Sequence, residues 1–506
     1  MLQLAVNIDS RLKLLIAPEC VTLLRRHPLL RTRIRSPAVR LSSIYFDTSD
    51  LHLKSKNIVL QLRKEGTHWF QTITMHETEL AGLHTHKEWE TSLAGNVFDF
   101  TQLDHPVLME LFASATFCQH LRPLFTAEFT RKTILIEFDG HLIECYLDTG
   151  KIRSGNQYTR ISELDLTLKS GSFAKLFEFA LELQKTIPLK LNYATRAEQG
   201  YALHIGNLPN RTSKAIHITI NKSMNTRAAC KDILRGCLQQ LQDNTKGFVA
   251  READDEYLHQ MRVALRRMRS NFNLFSHAFD KAEFSILIAE LKWLAGKLGP
   301  ARNWDVFTFE VLPPISSTLT AELSLTILQQ ASEHERQVNL ALALKAIESQ
   351  RYQVFLLNLG AALNSASWPE FDTVHPALIL DFANRILNKS YQQFRNSGKN
   401  IRTLPKDKFH PLRIAGKKLR YAVEFFMPLY PPHAVRPFLN AMTILQDTLG
   451  SINDAATANY LLEAISSTNF EALYLVRGWL SCQSRQHITE LGPLWQRFKS
   501  IDTFWK

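Results

Sequence analysis

The chain is poor in cysteine and lacks long apolar runs. Six cysteines are scattered through 506 residues with no C-x-x-C pair and no metal-ligand spacing, so neither a disulfide framework nor a zinc site is indicated. They read as small buried apolar side chains or inert thiols. No run of about 18 apolar residues occurs, which argues against a membrane partner. The first residues, "MLQLAVNIDSRLKLL", carry an early Asp9 and no small-residue cleavage pattern. The expectation is therefore a cytoplasmic protein. Helix-turn-helix, zinc-finger and other nucleic-acid signatures are missing as well.

What is present is a globular composition, 45% hydrophobic and 21% charged, in a chain long enough for two or three domains. The net charge of +12 is unevenly placed: residues 1–210 hold 24 Lys+Arg and 22 Asp+Glu, and the remainder 36 and 26. A basic C-terminal part attracts polyanions, whether nucleic acid, anionic lipid or chains of phosphate.

Up to about residue 205 the pattern is short and alternating ("NIVLQLRKEG", "HWFQTITMHE", "RKTILIEFDG", "HLIECYLDTG"), with turns at "EG", "DG" and "TG". This predicts an antiparallel β domain, interrupted by helical patches such as "FAKLFEFALELQKTI", hence an α+β class. The Gly-, Pro-, Asn- and Ser-bearing stretch "GNLPNRTSKAIH" (206–217) reads as a linker. From about 226 the periodicity is helical and the predicted domain, 218–506, is all-α.

The helical part repeats itself. "HQMRVALRRMR" from His259 recurs as "HPLRIAGKKLR" from His410, and at the same offset of 151 Leu294, Leu298 and Gly299 fall on Leu445, Leu449 and Gly450, and Asn303 on Asp454. A duplicated helical unit is the simplest account. At about 100° per residue, His259, Arg262, Arg266 and Arg269 share a sector of roughly 80°, as do His410, Arg413, Lys417 and Arg420. Each half thus carries a basic stripe bordering a buried face. Solvated helix faces normally interleave both signs, because like charges at i, i+4 repel; these stripes carry no acid until Glu424. A regularly charged anion suits them, since guanidinium groups make forked hydrogen bonds to phosphate oxygens. Interleaved aromatics for a single-strand platform are missing, and the apolar face is committed to a bundle core and not to a membrane surface. Inorganic phosphate polymers therefore lead as the ligand class, with nucleic acid behind them.

"LHQMRVALRRMRS", "ELKWLAGKLGPARNWDVF", "HPLRIAGKKLRYAVEFF" and "LQDTLGSINDAATA" together resemble a CHAD domain over about 218–506. The resemblance implies two related helical bundles whose basic residues bind inorganic polyphosphate without a cofactor. Carried over, the contacts are Arg262, Arg266, Arg269, Arg413, Lys417 and Arg420, flanked by Arg267, Lys418, Lys292, Lys297 and Arg302, with His259 and His410 adding pH-dependent charge. Asn303 stands where the family usually has Asp. The first 205 residues resemble a CYTH domain through "SSIYFDT", "GLHTHKEWE", "RKTILIEFDGHLIECYLDTGKI", "ISELDLTLKSG" and "TRAEQGY". That implies a β tunnel whose cations bind a triphosphate and whose carboxylates hold magnesium or manganese. The remnant tunnel residues are Arg63, Glu88, Glu90, Arg131, Glu144 and Arg196, with Glu163 and Asp165 as metal candidates; no catalytic residue is assigned. Several tunnel positions depart from the family. Met1 and Gln3 stand at the second glutamate and the lysine of its E-x-E-x-K signature, Gln61 at an arginine, Thr74 at a lysine, His86 at an arginine, Thr167 at an acid, and Arg196 at a lysine. The expectation is a polyphosphate-binding protein with a tunnel that has lost much of its active site. A metal-dependent triphosphatase acting on short triphosphates is the alternative, and RNA binding a further one.

Overall fold

The computed structural model describes residues 7–31, 34–206, 211–215, 218–252, 254–276, 281–318, 325–365, 378–465 and 470–505. Met1, Gln3 and part of the 206–217 linker lie outside them. Two compact units are formed, one of residues up to 209 with 350–366, the other of the rest.

The first unit is a closed antiparallel barrel. Its strands are β1 (Asn7–Ile16), β2 (Val39–Asp47), β3 (Ile58–Glu65), β4 (His68–Leu80), β5 (Leu83–Leu93), β6 (Arg122–Phe138), β7 (His141–Ser154) and β8 (Gln157–Ser170). They run in the order β1-β5-β4-β3-β2-β6-β7-β8, and β8 pairs back on β1. Closure pairs each of these eight strands on both sides. In β2 the burial alternates, as a strand with one face to the core and one to the lumen requires. In the middle of β8 both faces are buried, Glu163 to Thr167 alike.

Helices α1 (Ala174–Gln184) and α2 (Arg196–Ile205) follow the barrel. Thr195 and Glu198 form a capping box that sets the start of α2. Tyr201 on α2 packs edge-on to Phe125 and donates to the fully buried Asp47, whose oxygens also accept from the backbone N–H of Thr48, Leu53 and Lys54. One helix from far along the sequence belongs to this unit. Gln350–Asn364 packs on α1, with Gly360 against the Phe177 ring, and its Gln353 accepts from the Leu191 backbone N–H. Gly360 admits the ring because any Cβ there would lie 2.3 Å from it.

The second unit is helical and built twice. Its first half comprises α3 (Thr226–Val249), α4 (Glu256–Phe275), α5 (Lys281–Asp305) and α6 (Thr326–Ile347). Taking Gln350–Asn364 as α7, the second half comprises α8 (Ile379–Ser397), α9 (Lys406–Phe426), α10 (Pro432–Ala464) and α11 (Phe470–Lys499). Each helix packs on the next in both halves. Lys281 and Pro432, the first residues of α5 and α10, preserve the 151-residue offset. In each half the stripe-bearing helix, α4 or α9, buries its apolar side: Leu258, Met261, Leu265 and Met268 in one, Phe409, Leu412, Leu419 and Val423 in the other.

Candidate anion sites in the barrel and the helical unit

Inside the barrel, a cavity of about 120 Å³ is lined by cations from three strands and α2. Gln61, Thr74 and His86, read from sequence as substituted tunnel positions, do line it, together with Arg63, Glu88, Arg131, Asp165 and Arg196. Two further lining cations, Arg11 and Lys13 on β1, are ones that sequence reasoning misses. The reading that places the signature lysine at Gln3 is thereby corrected. Asp9-x-Arg11-x-Lys13 has the spacing of E-x-E-x-K, and these alternate positions of β1 pair with the lumen-lining strands β5 and β8. The available signal was the spacing itself, met further along the chain than expected.

These charges are largely spent on one another. Lys13 Nζ donates to Asp165 at 3.2 Å, and Arg63 to Glu90 at 2.8 Å. Arg131 grips Asp148 through two bonds of 2.9 and 2.7 Å. Arg196 also bonds Asp148 and reaches Glu163 through two nitrogens at 3.1 and 2.9 Å while lying over the Phe129 ring. Asp148 thus joins two arginines, a role that nothing in its own stretch of sequence marks. Burial works against its charge, but Arg196 and Arg131 outweigh it and hold the carboxyl below its ordinary range. Asp165 is likewise held well below, burial being overcome by Lys13, Arg196, Arg11 and Arg131. Glu90, by contrast, is raised by burial despite Arg63. Glu144 sits apart, paired with Lys169 at 2.6 Å and with Tyr146.

A divalent metal does not fit Glu163 and Asp165, the two metal candidates. Both oxygens of Glu163 are taken, by Arg196 and by Asn192 and Gln199 at 3.1 and 3.0 Å. Asp165 has an unpartnered Oδ1, yet the field around it is set by Lys13 and three arginines, which repel a second cation. Among the described residues no three His, Cys, Asp or Glu side chains gather to hold an ion.

In the helical unit the two stripes converge. Arg262 and Arg266 of α4, Arg413 and Lys417 of α9 and Arg302 of α5 act on one another electrostatically. Burial pushes Arg262 down to about 10, with Arg266, Arg302 and Arg413 adding to it. Lys417 is pushed down to about 7 by burial and by Arg266 and Arg413, against Asp454. Arg413 is lowered by burial, with Asp454 opposing, and His259 falls to about 4 through burial and Arg302. Half-buried cations that depress each other in this way make this cluster a candidate anion site. The Nε atoms of Arg262 and Arg413 have no hydrogen-bond partner, and Arg266 is steadied by the Tyr421 hydroxyl at 3.3 Å. Asn303 and Asp454, equivalent in the two repeats, line one small cavity, so the duplication is visible in space.

Not every stripe residue joins this cluster. Glu424, read as lying beyond the stripes, bonds Arg267 at 2.7 Å and Arg420 at 2.8 Å. Arg267 is buried over the Phe425 ring. Arg302, which acts on the cluster, also bonds Asp255 at 3.0 Å and Glu310 at 2.7 Å. His410 bonds Asn453 at 3.0 Å. Lys292, Lys297 and Lys418 are exposed, and Arg269 is half-buried.

Comparison with known proteins agrees with both units. The CYTH domain profile matches residues 12–201 and the CHAD domain profile residues 232–463. The inorganic triphosphatase of Haemophilus influenzae is 30% identical over 196 residues, 38% of this chain and 54% of that protein. An uncharacterised protein of Mycobacterium tuberculosis is 27% identical over 168 residues, 32% of this chain and 33% of that one. The chain therefore spans about half the length of the first relative and a third of the second. The CHAD domain of the plant Ricinus communis superposes with a TM-score of 0.51 at 27% identity, covering 58% of this chain and 98% of that domain. Among the described residues no helix is long and apolar enough to cross a membrane.

Proposed function

We propose that this chain, a CYTH domain followed by a CHAD domain, binds inorganic polyphosphate through the helical unit and that its triphosphatase-like barrel does little or no metal-assisted hydrolysis. The observation that carries the reading is the convergence of Arg262, Arg266, Arg413 and Lys417 from the two repeats. Such a cluster is costly in the free protein and is relieved by a polyanion, whose phosphates accept from several guanidinium groups at once. No metal is needed for this. Binding is expected to survive EDTA and to weaken steeply with added salt, by analogy with counterion release from nucleic acids.

Lys417 gives the binding a pH dependence. With its ammonium depressed to about 7, the free protein holds this residue mostly neutral at pH 8.5 and mostly charged at pH 6. A bound polyanion favours the charged form, so binding at pH 8.5 takes up a proton and affinity rises as pH falls through 7. The expected gain is about thirtyfold, read from titrations at the two pH values; Lys417→Met should flatten the profile.

A second reading, a metal-dependent triphosphatase, is favoured by the likeness to the Haemophilus influenzae enzyme and by the lumen cations Arg11 and Lys13. Phosphate release from tripolyphosphate separates the two. The first reading expects no release above background with magnesium or manganese. Release that disappears in Glu163→Gln with Asp165→Asn would establish the second.

A further inference from the structure

One feature of the helical unit that neither reading uses is a cavity of about 710 Å³ between the end of α3, the region after Asp305 and α6. Its size is that of a small-molecule site. Its character is opposite to the basic cluster. Leu340, Ala341 and Leu344 of α6, with Phe309 and Phe248, give it apolar walls, while Glu252, Asp254, Asp255 and Asp305 bring four carboxyl groups against Arg251 and Arg336.

Acids alone would not make this a site. Asp305 adds the observation that does. It is 1% exposed, lines the cavity, and its Oδ2 has no hydrogen-bond partner. Its Oδ1 receives only a long bond of 3.3 Å from Arg336. That arginine is committed instead to Glu333, through bonds of 2.7 and 2.8 Å. Burial raises the Asp305 carboxyl to about 6, Arg336 and Arg302 pulling the other way without prevailing. A buried acceptor of this kind is costly unless something donates to it. The chain just beyond it, Val306–Val311, is a π-helical turn carrying Phe309, an irregularity that recurs where helices serve a function.

We infer that this cavity binds a small amphipathic amine, its ammonium donating to Asp305 Oδ2 and its hydrocarbon body lying against Phe309, Leu340 and Leu344. A neutral ligand would leave Asp305 as it is, and an anion would meet the four acids. A compact polar cation would leave the apolar walls uncovered. The inference does not rest on polyphosphate binding and stands or falls apart from it.

The test is saturation-transfer NMR on the intact chain with 2-phenylethylamine and, separately, 2-phenylethanol, which has the same body without the charge. The amine is expected to bind saturably below about 10 mM and at least about tenfold more tightly than the alcohol. Asp305→Asn should remove that difference, and Leu344→Trp, which fills the cavity, should remove binding of both. Equal affinity for amine and alcohol, or no saturable amine binding, would overturn the inference. So would amine binding that persists in Leu344→Trp, which would assign the contact to exposed acids; this arm decides the matter even if Asp305→Asn fails to fold by circular dichroism.

Discussion

Replacing Arg262, Arg266, Arg413 and Lys417 together by alanine is expected to lower affinity for long-chain polyphosphate by at least about a thousandfold. Removing each charge-assisted hydrogen bond to phosphate costs about 1.5 kcal/mol or more, and tenfold corresponds to about 1.4 kcal/mol. The variant should nevertheless fold, with a melting temperature equal to or above that of the starting protein. Arg262, Arg413 and Lys417 are all depressed from their ordinary values, burial being the first cause, so their charged forms cost the folded state free energy that alanine does not. Arg420→Ala should weaken binding less than any member of the four, because Arg420 is engaged by Glu424. Competition against a labelled polyphosphate, with a thermal melt of each variant, measures both. Affinity within tenfold of the starting protein in a folded quadruple variant would place the ligand elsewhere.

The second large effect is one of stability. Arg196→Ala is expected to destabilise the barrel unit by about 3–5 kcal/mol at neutral pH, the range for removing one partner from a buried ion pair. Asp148 and Glu163, exposed by only 1% and 2%, would face each other across β7 and β8 with Arg196 gone. The pH dependence has a definite sign. Asp148 is held below its ordinary value, so its contribution in the starting protein is present above the unfolded carboxylate pKa of about 4 and is lost as pH falls through the folded value. In Arg196→Ala the share of that contribution supplied by Arg196 is missing already, while Arg131 keeps its own. The gap between the two proteins should therefore narrow toward acid pH. Urea unfolding at pH 7 and at about pH 3, below the unfolded carboxylate value, measures it. Arg196→Lys should recover part of the loss by restoring one donor and the charge, without the fork that spans both acids. A loss below about 1 kcal/mol would mean that water, and not the arginine, satisfies these carboxylates.

The two-domain character, the antiparallel strands and the duplicated helices are all legible in sequence because each is a periodicity. Alternation marks the strands, the helical period marks the bundle, and one constant offset ties α4 to α9 and α5 to α10. The basic stripes are legible for the same reason. What periodicity does not carry is which charges meet. Glu424 reads as a residue following a stripe, yet it is the acid that draws Arg267 and Arg420 out of it. Asp148 reads as one acid of a strand, yet it joins Arg131, its partner across the β6–β7 hairpin, to Arg196 on α2, which packs against both strands. The register of the first strand is hidden for a chemical reason. Arg11 stands at a position where the family signature has a glutamate, and a charge reversal masks a motif that spacing alone still records. Gln350–Asn364 has an ordinary helical pattern, and nothing in it says that its partner is α1.

Anion binding by the converged cations is tested most directly by a calorimetric titration of the intact chain with long-chain polyphosphate in the presence of EDTA. The expected result is saturable binding that weakens steeply between low and moderate salt and that is accompanied at pH 8.5 by proton uptake, seen as a dependence of the heat on the buffer's ionisation enthalpy. The absence of binding without divalent metal would contradict it, because the converged arginines and Lys417 would then not be an anion site in their own right.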